Sequence, residues 1–343
     1  MEFLADYGLF LLKASTVVVA ILFVFGGLVS LAQRNKRQAV HGAIQIDNLN
    51  HHFDDMAQSI REEVLSEAVL KSEEKARKKR EKVLAKEAEE NPRRRVFVLD
   101  FEGDIRASAV DEFRHEITAV LAVANAKDEV VVRLDSGGGL VTSYGLASSQ
   151  LERIRRAGVP LTACVDEIAA SGGYMMACVA DRILAAPFAV VGSIGVVAQI
   201  PNFNRLLRKH EIDIELHTAG EYKRTLTIFG ENTDKAREKF REELDDVHGL
   251  FKSFVTQWRP QLDTAVVATG EHWFAVRAKE LKLVDELMTS DEYLVSAAQN
   301  ADVFHVHWQH RKTFSERMGF AFEGAIDRVL LRWWGRLTRR QAI

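Results

Sequence analysis

An α/β fold built on a largely parallel sheet is predicted by three features of the sequence. Apolar and β-branched runs at Arg95 to Leu99, Glu129 to Leu134 and Pro160 to Val165 are separated by stretches of helical composition, Val110 to Ala124 and Leu140 to about Arg156. Helical crossovers of that length are what parallel neighbours require. Glycine-rich segments follow two strands, Ser136-Gly137-Gly138-Gly139 after one and Ser171-Gly172-Gly173 after the other. In open α/β sheets such strand ends converge on the edge where ligands bind. Finally, Ile183 to Ile200 is apolar but broken by Pro187, Gly192, Ser193 and Gly195. That pattern suits strands buried on both faces and not a membrane span.

Around this domain the chain divides into four. Ala14 to Ala32 carries no charged residue and is long enough to cross a bilayer. A cleaved secretory signal has its positive charge before the apolar run; here Glu2 and Asp6 precede it and Arg34, Lys36 and Arg37 follow. Residues 1–32 therefore read as a membrane anchor. Residues 33–94 read as a charged helical linker, since Ser66 to Glu90 sets opposite charges three or four apart and stops near Asn91-Pro92. The catalytic domain is expected at 95–300. It includes a long amphipathic helix from Thr233 to about Trp258 whose apolar stripe is Phe240, Leu244, Val247, Leu250, Phe251 and Phe254. Residues 301–343 read as an extension ending in a basic amphipathic helix. Ile326, Leu330, Trp333, Trp334 and Leu337 lie on one face and Arg328, Arg332, Arg336 and Arg339 on the other, which suits a lipid interface or a subunit contact.

The chain has 343 residues, 47% hydrophobic and 28% charged, with a net charge of -3. That length holds one large α/β domain with appendages, and that charge argues against a dedicated nucleic-acid binder. Two cysteines, Cys164 and Cys178, fall in apolar surroundings and read as buried free thiols.

Ser171 sits where a strand gives way to helical sequence at Tyr174 to Ala180. Its hydroxyl is thus placed at a strand-to-helix turn, and the Gly172 amide at the helix start can face a developing oxyanion. The same composition also describes an ordinary helix cap. Lys223, in Gly220-Glu221-Tyr222-Lys223, is the candidate base. A lysine activates a serine only when neutral, which calls for a dry pocket, and Tyr222, Leu226 and Ile228 are the residues expected to form it.

The motifs Asp135-Ser136-Gly137-Gly138-Gly139, Ala169-Ala170-Ser171-Gly172-Gly173-Tyr174, Gly192-Ser193-Ile194-Gly195 and Gly220-Glu221-Tyr222-Lys223 occur in an order and spacing that resembles the signal peptide peptidase A family of membrane serine peptidases, SohB type. The segment Gly270 to Asp285 is similar to the family's closing helix-strand element. The resemblance, from about Val96 to about Leu287, implies a Clp protease/crotonase-like spiral of βαβ units. It implies Ser171 as nucleophile, Lys223 as base, Ser193 as the hydroxyl that orients the lysine, and Gly138, Gly139 and Gly172 around the oxyanion. It also implies no cofactor, short, extended, largely apolar peptides as substrates, and a homo-oligomer. Asp135 and Gly137 stand where the family has Asn and Pro, and a glycine in place of proline loosens that loop. The bacterial inner membrane is the expected location. Positive charge after the apolar run places the catalytic domain in the cytoplasm, whereas the resemblance points to the periplasm. The alternative function is a non-proteolytic scaffold or acyl-transfer protein of crotonase-like fold.

Other motifs carry less. Ser72 and Lys75 form a Ser-x-x-Lys pattern without strand, glycine loop or pocket beside it, and His217 and His272 are remote candidates for a histidine base. His305, His307 and His310 have spacing compatible with a metal but no carboxylate or cysteine near them in sequence, so no metal site is expected.

Overall fold

The computed structural model describes residues 15–16, 42–76, 79 and 93–310. The anchor expected at 1–32, the end of the charged linker at 80–92 and the basic helix at 326–339 lie almost wholly outside the described residues. No helix among the described residues is long and apolar enough to cross a membrane.

The described fold opens with β1 (Gly42–Asn48) and α1 (Leu49–Val64). Asn48 caps α1 by accepting from the His51 amide at 3.1 Å. The central strands follow: β2 (Arg94–Gly103), the crossover helix α2 (Val110–Leu121), β3 (Glu129–Ser136), α3 (Val141–Arg156) and β4 (Leu161–Val165). Next come β5 (Ile168–Ala170), α4 (Gly172–Ala177), β6 (Arg182–Ala185), β7 (Val190–Gly192) and α5 (Asn204–Lys209). The long helix α6 (Asp234–Trp258) precedes α7 (Thr264–Val267), β8 (His272–Phe274), α8 (Ala275–Glu280) and β9 (Glu286–Leu287). Helix α9 (Ser290–Ala298) and strand β10 (Ala301–His310) complete the described chain. Thr289 caps α9 from the side-chain oxygen, accepting from Glu292 at 3.2 Å.

The main path of the sheet runs β1-β10-β2-β3-β4-β6-β9. From β10 to β9 every recorded pairing on that path is parallel, with Val303 opposite Val96, Leu99 opposite Val132, Val131 opposite Thr162 and Cys164 opposite Leu184. Both faces are covered, which is why these strands read as nearly continuous apolar runs. On one face Phe97, Leu99 and Phe101 pack with Phe113, Ile117 and Leu151; on the other Val96, Val98 and Val131 pack with Leu294 and Val303. Phe101 meets Phe113 and Tyr144 edge-on, with centroids 5.2 and 6.3 Å apart. Each such buried ring contributes roughly 2–3 kcal/mol by removal from water.

At its C-terminal end the sheet divides. Ser136, the last residue of β3, pairs with Ala169 of β5; β5 runs parallel to β7, and β7 pairs antiparallel with β8. This branch carries the functional loops.

Three features differ from the sequence reading. Strand β1 and helix α1, inside the span read as linker, belong to the sheet and its covering layer, where Leu49 and Phe53 pack against the core. Strand β10 lies between β1 and β2, so a domain limit at residue 300 cuts off an interior strand. In α6 only Phe251 and Val255 are buried, while Leu250 is 72% exposed, so the buried stripe is narrower than the apolar one. Residues 67–76 are helical.

Candidate active site

Two parallel strands of three residues place two serines side by side. Ala170 of β5 stands opposite Gly192 of β7, and the next residue on each strand is a serine, Ser171 and Ser193. Both have a left-handed φ of 52°, in a region that non-glycine residues avoid. Such a conformation costs on the order of 1–3 kcal/mol and persists only where its surroundings enforce it. At Ser171 they do: its amide donates to Gly192 O at 2.8 Å, and its carbonyl accepts from Met175 at 2.9 Å as α4 begins. The Ser193 amide donates to Glu271 O at 2.6 Å, while its hydroxyl reaches Gly270 O only at 3.5 Å.

Glycines press this turn together. A Cβ on Gly138, whose φ is +88°, would lie 2.6 Å from the Gly172 nitrogen and 2.8 Å from Ser171 Cβ. A Cβ on Gly172 would lie 2.3 Å from Tyr144 Cγ, and one on Gly173 would lie 2.4 Å from Ser136 O. The loop after β3 thus rests directly on the start of α4, and both need glycine for the approach. Gly137 is different: a side chain there would meet only Ile168 Cδ1, at 3.8 Å. A glycine at this position is not demanded by crowding.

The amides sort themselves by their partners. Gly138 N–H donates to Ser136 Oγ at 3.1 Å and is engaged within its own loop. Gly139 and Gly172 amides have no hydrogen-bond partner among the described residues. They remain available to a negative oxygen beside Ser171.

Sequence reasoning missed the residue that ties these loops together. Tyr144, fully buried on α3, brings its hydroxyl to 2.5 Å from Ser136 Oγ and 2.7 Å from Asp104 O, and its ring lies under Gly172. Burial pushes its phenol pKa up, so it stays a neutral hydrogen-bonding group. A tyrosine in an amphipathic helix carries no sequence signal beyond core packing. Behind α4, Tyr174 donates to Leu283 O at 3.0 Å, and the buried Arg259 makes a two-pronged contact with Asp285 at 2.7 and 2.8 Å.

Lys223 stands apart from this order. It lies in the segment between α5 and α6, is exposed, and has its amide bonded to Gly220 O at 3.2 Å. Among the described residues no hydrogen bond joins it to Ser171 or Ser193. The dry pocket expected from Tyr222, Leu226 and Ile228 does not form within the single chain. Tyr222 and Ile228 are 46% and 43% exposed, and the Tyr222 ring is turned to the ammonium groups of Lys235 and Lys239, 5.9 and 5.4 Å from its centroid. From the end of β7 to this segment the chain exposes Val197, Ile200, Phe203, Leu206, Ile212, Ile214, Leu216 and Phe229.

The remaining candidates resolve simply. Ser72 donates to Val69 O at 2.9 Å on an exposed helix. His217 pairs with Glu215 at 3.2 Å on the surface, and His272 is exposed on β8. Cys164 and Cys178 are free and buried; burial pushes the Cys164 thiol up to about 12 and Cys178 higher still, so neither is a nucleophile. Of the histidine cluster, His305 and His307 do have a carboxylate beside them, Asp47 of β1, which removes the ground on which a metal was set aside.

Comparison with known proteins gives the family. Residues 2–151 match the model of the peptidase family S49 N-terminal region, and residues 153–304 match that of peptidase family S49 itself. The chain is 45% identical to the probable protease SohB of Haemophilus influenzae over 98% of both sequences. It is 47% identical to that of Buchnera aphidicola subsp. Schlechtendalia chinensis, over 86% of this chain and all of the other. A mutant of the 1510-N membrane-bound stomatin-specific protease superposes with a TM-score of 0.40 at 14% identity, over 62% of this chain and 97% of that one. The chain belongs to peptidase family S49. Its resemblance to the SohB type extends over nearly its whole length, and on that membership it is a peptidase.

Proposed function

We propose that this peptidase is a membrane-anchored serine endopeptidase in which Ser171 is the nucleophile and Lys223 its base. The observation that carries the reading is the conformation of Ser171, held at φ 52° at the head of α4, with the unengaged Gly172 amide next in the chain and the unengaged Gly139 amide in the loop whose Gly138 packs on Ser171. A hydroxyl in that setting attacks a peptide carbonyl while the two amides receive the oxygen that becomes negative. The proton leaves to neutral Lys223, which then returns it to the departing amine. Ser193, on the neighbouring strand end, orients the lysine amine. The branched sheet, with β5 and β7 displaced from the main path, agrees with a Clp protease/crotonase-like spiral.

The exposure of Lys223 in one chain gives the expected homo-oligomer a definite task. A second copy covering the apolar residues between Val197 and Phe229 would exclude water from the lysine and favour its neutral form. Substrates under this reading are short, extended, largely apolar peptides such as signal-peptide remnants or membrane-protein fragments. Residues 1–32 anchor the protein in a bacterial inner membrane, and the basic helix of the extension meets lipid or a subunit. For the side of the membrane, the charge rule favours the cytoplasm and the family resemblance the periplasm.

The test is labelling of the detergent-solubilised oligomer with a fluorophosphonate, alongside peptide hydrolysis. Label on Ser171 that disappears in Ser171→Ala, with hydrolysis that rises with pH, is expected. A folded oligomer that takes no label would favour the scaffold or acyl-transfer reading.

A further inference from the structure

Strand β10 alternates its faces, so His305 and His307 project to one side and His310 to the other. The side shared by the first two also carries Val303 and Ala301, which pack against α1 and α9. Beyond that apolar patch the face turns polar. One ring nitrogen of His305, one of His307 and one carboxylate oxygen of Asp47 lie within 4.8 Å of one another. His307 Nδ1 is 3.7 Å from Asp47 Oδ2, and it is buried without a hydrogen-bond partner. The two imidazoles are 5.0 Å apart between centroids.

We propose that Asp47, His305 and His307 bind a divalent transition-metal ion, of the zinc class, that clips β1 to β10. Two imidazoles and one carboxylate are a donor set for such an ion, and three protein ligands leave a fourth position for water. A buried imidazole nitrogen without a partner, facing a carboxylate too distant for a hydrogen bond, is satisfied at once by a cation between them. The surroundings supply the supporting shell. Asp100 lies 3.0 Å from His305 Nε2 and is held in place by Arg133 at 2.6 and 2.7 Å. With Nε2 carrying the proton toward Asp100, His305 presents Nδ1 as its lone-pair atom. A carboxylate behind a ligating histidine fixes its ring and raises its basicity. The pairing His305–Asp100 and His307–Asp47 also describes two ordinary ion pairs of protonated histidines, and the experiment separates the two.

The full-length protein in detergent is stripped with a chelator, desalted, and titrated at pH 8 with zinc by calorimetry and with cobalt by visible absorption. Expected are one ion per chain bound at about micromolar or tighter, cobalt d–d bands of a low-coordinate nitrogen–oxygen site, and a raised unfolding temperature with zinc. His307→Ala and Asp47→Asn each weaken binding at least tenfold; Asp47→Asn keeps the shape of an exposed strand residue and so preserves the fold. Asp100→Asn leaves all three ligands and weakens binding about 10- to 100-fold. Binding weaker than about millimolar, or unchanged by His307→Ala and Asp47→Asn, overturns the proposal. The result is independent of hydrolytic activity.

Discussion

The two halves of the candidate site are built differently. The loops that carry Ser171, Gly139 and Gly172 are pinned by glycine contacts closer than any side chain allows, by Tyr144 beneath them and by β5 and β7 on either side. Around Lys223 the chain is exposed and rests on a turn, two cation–ring contacts of Tyr222 and the Glu221–Lys235 ion pair at 2.6 Å. Surface pairs of that kind contribute little, about 0–1 kcal/mol. The loops around Ser171 are therefore preformed in one chain, and under the proposed function Lys223 becomes competent as a base only when something covers it.

That contrast predicts opposite behaviour on substitution. Lys223→Ala should lower peptide hydrolysis by about a thousandfold or more while changing stability by no more than about 0.5 kcal/mol, measured by initial rates and chemical unfolding. A large loss of stability would show the base segment to be part of the core after all. Gly172→Ala should do the reverse first: the new Cβ meets Tyr144 Cγ at 2.3 Å, so unfolding should be easier by about 3 kcal/mol, with activity lost as a consequence. Gly220→Ala, in the base segment, has open space around it and should cost only about 1 kcal/mol from its φ of +95°.

The frame beneath the preformed loops also responds to pH. Glu116 of α2 is buried, and desolvation pushes its pKa up to about 7 although its carboxylate accepts from the Trp308 amide at 2.7 Å. A raised carboxyl favours the folded state most when protonated. Its contribution is complete below its unfolded value of 4.5 and is lost as pH rises through about 7, by up to ~3 kcal/mol. Unfolding of Glu116→Gln followed from pH 5 to 8 should show a flatter profile than wild type. An equally steep profile would assign the dependence to another group. A modest effect on rate is expected at Tyr144→Phe, which removes the hydroxyl linking Ser136 to Asp104 O. A fall in kcat of about tenfold with KM little changed would mark it as positioning the oxyanion loop; a change in KM alone would not.

Long elements were legible in the sequence because burial on both faces and helical periodicity are written over many residues. Helix α3 and the crossover α2 fall within a few residues of their expected limits, and α6 begins one residue after Thr233. Strands β5, β7 and β8, of three residues each, are too short to show any period, yet they are what set Ser193 beside Ser171. The glycines of the site announced themselves by type and spacing. What spacing does not reveal is which amide is free: the engagement of Gly138 by Ser136 depends on the path of one loop. Nor does it report solvent, and Lys223 was expected in a pocket that the apolar neighbours Tyr222 and Ile228 do not close. Asp47 and His307 lie far apart in sequence, so their meeting waits on the order of the strands.

That order has a consequence for how the protein is made. Strand β1 has β10 as its neighbour in the sheet, and β10 contains residues 301–310. As the chain leaves the ribosome, β1 emerges early and has no hydrogen-bonding neighbour until the last described strand has been synthesised. β2 to β4 meanwhile pair with one another and build the centre of the fold. Insertion of β10 between β2 and β1 is then a late event that closes a loop of most of the chain, the kind of contact that slows folding and leaves an unpaired edge exposed in the interval. Nascent chains arrested before residue 301 should hold the nucleophile loops near their final form while β1 and α1 remain undocked.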